Sequence, residues 1–108
     1  MANPYGIIAE HSPSTCPSAN RAVRDTMLSG MADLPSLLGA HGISLLSAEH
    51  FDPEHLLIFR LEAASVEDVR DFVNASGLLQ WNNCRIYPLT ALEELAQRTS
   101  ELFPNTLF

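Results

Sequence analysis

The chain has 108 residues, an apolar fraction of 46% and a net charge of -7, which is the size and composition of one domain with one core. Thirteen acidic against six basic side chains leave no basic stripe, so nucleic acid and anionic membrane surfaces are disfavoured as partners. No apolar run reaches the roughly 20 residues of a membrane span, and the first residues lack a secretory pattern, so a cytoplasmic location is expected. In that reducing compartment Cys16 and Cys84 are expected as thiols.

Tyr5 to His11 (YGIIAEH) is a mostly apolar run closed by Ser12-Pro13, which predicts a first strand ended by a turn. The polar stretch after it holds Cys16 and leads to Ser18, placed as the N-cap of a helix from about Ala19 to Met31. Ala19, Val23, Met27 and Met31 give that helix one apolar stripe. Gly30 and Pro35 interrupt the pattern, so one bent unit or two short helices in tandem are expected, ending near Gly39 to Gly42.

Ile43 to His50 and Leu56 to Ala63 predict a hairpin turned at Phe51-Asp52-Pro53-Glu54. Ser65 followed by Asp68 opens a second helix, in which Val66, Val69, Phe72 and Val73 repeat at helical spacing until Ser76-Gly77. Leu78 to Asn83 is a connector, and Cys84 to Leu89 predicts a last strand, with Pro88 marking an edge or an end. Thr90 with Glu93 is placed at the start of a third helix through about Gln97. Residues 1–99 are therefore expected as one domain, and 100–108 as an apolar tail that packs on a partner subunit.

Strand, helix, hairpin, helix, strand is the ferredoxin-like β-α-β-β-α-β order, an α+β fold in which both helices cover one face of a four-stranded antiparallel sheet. The predicted third strand has apolar residues of both parities, Leu57, Phe59 and Leu61 against Leu56 and Ile58. A second sheet is then needed to cover the open face, and two copies packed face to face form a dimeric α/β barrel. Arg60 and Glu62 share the open face, either as a salt bridge or as a pair reaching a ligand between subunits.

Three motifs add to this. They are His11 with Cys16-Pro17 and Asn20, then Pro53-Glu54-His55, then Gly77-Leu78 with Gln80-Trp81-Asn82. In this order they resemble a little-characterised family of small proteins in the dimeric α/β-barrel superfamily, over residues 5 to 97. That superfamily includes muconolactone-isomerase-like proteins, small monooxygenases acting on aromatic compounds and stress-responsive proteins. The resemblance implies the fold, a homodimer and a cavity between sheet and helices or in the barrel, and it selects no chemistry.

In the expected topology the first strand lies between the third and fourth, antiparallel to both, so its exit sits beside their starts. His11, Cys16, His50 and His55 gather there, with Trp81 and Asn82 leading into the last strand. Imidazole and thiolate are the donors that zinc, iron or copper prefer. His11, Cys16 and His55 are the candidate metal ligands with His50 in reserve, zinc being the example metal; His11 and His55 double as candidate general acid/base groups. Trp81, Asn82 and Arg60 are candidate cofactor or ligand contacts. The plainer alternatives are hydrogen-bonded surface histidines, an inert Cys16 thiol and a Trp81 that plugs the core. Two functions follow: a small-molecule enzyme of the isomerase or monooxygenase kind, or a non-catalytic metal carrier or sensor with a closed shell. An interaction module with no convergent polar site is the third.

Overall fold

The computed structural model describes residues 2–102. Four strands form one antiparallel sheet in the order β2-β3-β1-β4, with β1 at Asn3–Glu10, β2 at Ser44–Phe51, β3 at Leu56–Ala63 and β4 at Asn83–Pro88. Helix α1 spans Arg21–Ala40, α2 Val66–Ser76 and α3 Leu92–Leu102. The protein is thus an α+β fold with an open sheet, and β1 lies between β3 and β4, antiparallel to each.

Alternation along the strands decides what each face carries. Tyr5, Ile7 and Ala9 of β1 pair with Leu61, Phe59 and Leu57 of β3, and Ile7 and Ala9 also pair with Ile86 and Cys84 of β4. These residues form the covered face, where Ile7 and Leu61 are fully buried against Val69, Phe72 and Val73 of α2. Leu34, Leu37 and Leu38 of α1 complete this core. The opposite parity puts Ile8, Ile58, Leu56, Phe51 and Tyr87 on the open face, together with Arg60 and a 3.9 Å Glu10–Arg85 ion pair.

Helix α2 begins as its sequence dictates: the Ser65 side chain accepts from the Asp68 amide at 3.3 Å, and Gly77 ends the helix at φ 82, a left-handed conformation. Helix α1 takes the single-unit form of the two expected and ends where expected, but its start differs. It is a single uninterrupted helix, capped by Asn20 rather than Ser18, because the amides of Ala19 and Asn20 both donate to the Cys16 carbonyl and form a turn first. Asn20 then accepts from the Val23 amide at 3.1 Å. Gly30 does not break the helix; it permits close approach to α2, since a Cβ there would lie 3.2 Å from the Ser76 carbonyl oxygen. Pro35 is likewise carried inside the helix, where it lacks the amide that would bond the preceding turn.

Three smaller differences occur. A register irregularity between Leu45 and Ser47 bends β2. Helix α3 starts at Leu92, so Thr90 is not its cap, and it runs five residues beyond the expected end at Gln97. The tail placed over 100–108 therefore begins inside α3, and its remainder, with the apolar Phe103–Phe108 segment, lies outside the described residues. Among the described residues no helix is long and apolar enough to cross a membrane.

Candidate metal centre

His11 follows β1 directly and keeps the parity of Tyr5, Ile7 and Ala9, so its ring lies on the covered face at the end of the sheet. Its amide donates to the His55 carbonyl at 3.1 Å, which extends the β1–β3 ladder by one step and ties the two residues together. Beyond His11 a short 3-10 turn at Pro13–Thr15, closed by Ser12 and Thr15, carries the chain back over the sheet end and buries Cys16. His50 sits opposite Leu57, itself opposite Ala9, and so belongs to the covered face of edge strand β2. His55 ends the hairpin's 3-10 turn at φ 52, ψ 49, the left-handed region that His visits more readily than most residues.

These four positions converge. One donor atom each from His11, Cys16, His50 and His55 lies within 4.8 Å of the other three. A tetrahedral zinc with bonds of about 2.0–2.3 Å sets its donors about 3.3–3.7 Å apart, so closure on an ion needs side-chain movements of roughly 1 Å. The Trp81 ring walls the cluster, 5.1 Å from the His11 ring between centroids.

Hydrogen bonds around the cluster fix which ring nitrogens carry protons. Asn82 Nδ2 donates to the Leu78 carbonyl at 3.2 Å, which turns its Oδ1 toward His11 Nδ1 at 2.9 Å. An amide oxygen only accepts, so His11 Nδ1 holds the proton and Nε2 presents its lone pair. The same logic applies to His50, whose Nδ1 donates to the Asp52 carboxylate and leaves Nε2 free. Both contacts are of the kind that orients an imidazole for metal ligation in proteins that bind one. His11 Nε2 and His55 Nδ1 are buried with no hydrogen-bond partner, a state that is costly unless something binds there. Cys16 Sγ lies 3.0 Å from the Ser18 hydroxyl, which can donate to a thiolate.

Burial is the main cause that pushes the His11 pKa below its ordinary 6.5, and the neighbouring His50 and His55 push the same way, against the Asn82 hydrogen bond. A neutral imidazole is the form that ligates metal. Burial pushes the Cys84 thiol up and keeps it protonated; Cys84 belongs to the core beside Ala9.

The structure brings His11, Cys16, His50, His55, Trp81 and Asn82 together. His50, expected as a reserve, lies in the cluster at the same range as the other three. Arg60 is not part of the cluster, because it pairs with Gly6 on the open face and is exposed. Asp52 was not singled out by the sequence reading; its signal was the spacing His50-x-Asp52 at the start of a turn, which lets the carboxylate reach back to the ring. No protein-family model matches the chain, and comparison with curated proteins gives no match either.

Beside the cluster, under α1, lies an apolar cavity of about 260 Å³. His50 and Trp81 line both spaces, whereas His11, Cys16 and His55 do not reach the cavity.

Proposed function

We propose that this chain is a metal-binding protein in which His11, Cys16, His50 and His55 close around one transition-metal ion of the zinc type. The observation that carries the reading is the convergence of four donor atoms within 4.8 Å, in a cluster where one nitrogen each of His11 and His55 is buried with no hydrogen-bond partner. Four protein donors complete a tetrahedral shell, the arrangement of a carrier, sensor or structural site, whereas a catalytic zinc keeps a position open. Acid/base catalysis by His11 or His55 draws less support, since neither lines the cavity that would hold a substrate.

Elemental analysis of protein purified without a histidine tag tests this. Stoichiometric metal in the parent, lost in a His11→Ala/His55→Ala double variant that still folds, is the expected result. Parent protein that stays metal-free after incubation with excess zinc overturns it.

We further propose that the fold is the ferredoxin-like unit of a dimeric α/β barrel. Support comes from the central β1 and β3 and from the apolar side chains that share the open face with charged ones, of which Phe51 is 52% and Tyr87 45% exposed. Helix α3 packs extensively on no other element of the described residues and presents Leu92, 70% exposed, and Leu95. An uncovered face and an unpartnered amphipathic helix on one chain suit a second copy. Light scattering should give twice the 11.9 kDa chain mass at micromolar concentration, and a clean monomer overturns the barrel.

A further inference from the structure

We infer that His50 is an exchangeable ligand, and that the coordination position it vacates opens into the apolar cavity under α1, where it accepts a small apolar molecule bearing one neutral nitrogen donor. This rests on the metal-binding reading above.

The four donors are not equivalent. Cys16 and His11 are 3% and 7% exposed, and each is fixed from behind, by Ser18 and Asn82. The backbone of His55 is locked by the bond from the His11 amide. His50 stands on edge strand β2 with 32% of its side chain accessible, and its anchor Asp52 is 88% exposed. A ring tethered only to a solvated carboxylate is the one that can swing away while keeping its hydrogen bond. His50 is also the only one of the four donors that lines the cavity, so its departure joins the centre to that space.

The cavity walls state what can enter. Met27, Leu34, Leu57, Phe59 and Trp81 offer almost no polar partner. A charged thiolate or carboxylate would lose its hydration there without compensation, whereas a neutral aromatic nitrogen base keeps its apolar body against the walls. The volume of about 260 Å³ exceeds the approximately 150 Å³ that accommodates benzene, leaving room for a substituted ring. The exchange is balanced: the bond from metal to the His50 nitrogen breaks, a bond from metal to the guest nitrogen forms, and no electron or proton changes hands. The protein would then report a neutral nitrogen heterocycle through the state of its metal.

Cobalt(II)-loaded protein titrated with 4-methylpyridine tests the inference through the visible ligand-field bands. Wild type should show a saturable spectral change, and toluene, which has the same shape but no lone pair, should cause none. His50→Ala loses one ligand and is therefore loaded at excess cobalt; with the ion on the remaining three donors it should bind 4-methylpyridine at least tenfold more tightly than wild type. Ala48→Phe narrows the cavity from its β2 wall, with Ala48→Leu as the milder variant; either should load cobalt normally and bind the probe at least tenfold more weakly. Bands indifferent to 4-methylpyridine in His50→Ala overturn the inference. So does an equal response in wild type and both Ala48 variants, because the probe then reaches the ion from solvent. Wild-type protein that takes up no cobalt fails at the metal-binding step, an outcome distinct from failed exchange.

Discussion

Replacing Asn82 by alanine removes the single acceptor that sets the His11 ring. In the wild type the Asn82 amide is clamped at both ends, 3.2 Å to the Leu78 carbonyl and 2.9 Å to His11 Nδ1. Loss of the second contact leaves a buried N–H without a partner, which costs about 1–3 kcal/mol in the metal-free protein. It also frees the imidazole to move its proton to Nε2, the atom that faces the other donors. Loss of such an outer-sphere partner weakens metal binding about 10–100-fold, equivalent to about 1.4–2.7 kcal/mol. Asn82→Asp keeps an acceptor for the ring but sets a carboxylate oxygen against the Leu78 carbonyl in place of the donated hydrogen bond, so it should recover only part of the affinity that alanine loses. The assay is a zinc titration against a chromophoric chelator, run beside urea unfolding in the presence of EDTA. A lowered urea midpoint for Asn82→Ala with zinc affinity within twofold of wild type would refute the reasoning, since Asn82 would then be holding the fold and not the ligand.

Other predictions concern the same centre and the core beneath it. His11 is neutral in the folded protein at pH values where the unfolded chain, with a pKa near 6.5, already takes up a proton. The unfolded state therefore binds more protons as pH falls through about 6.5, and metal-free stability should drop over that window. Urea midpoints at pH 7.5 and 5.5 should fall further apart for wild type than for His11→Phe. Phe72, 1% exposed between α2 and the sheet, should cost about 3–5 kcal/mol when cut to alanine, by thermal or urea melt. Gly77→Ala forces a Cβ into a left-handed backbone at φ 82 and should cost about 1–2 kcal/mol, with zinc stoichiometry unchanged.

The fold was largely legible because each element carried its own punctuation. Ser65 with Asp68 opened α2, Gly77 closed it, and the turn at Phe51–Glu54 separated two apolar runs of strand length. Once β1 was placed between β3 and β4, His11 and His55 had to be neighbours, and the ladder bond from the His11 amide to the His55 carbonyl is that neighbourhood made physical. The misread parts depended on tertiary contact. Gly30 looks like an interruption in a chain and becomes a contact only when Ser76 of α2 is beside it. The irregularity at Leu45/Ser47 left no mark in composition, yet the parity it sets puts His50 on the covered face opposite Leu57. Asn82 was visible as a residue near the site, but its role required knowing that the Leu78 carbonyl orients its amide.

X-ray absorption at the zinc edge of the zinc-loaded protein tests the donor set most directly. The account predicts one sulfur at about 2.3 Å and three imidazole nitrogens at about 2.0–2.1 Å. A shell of oxygen and nitrogen alone, without the Cys16 sulfur, would contradict it.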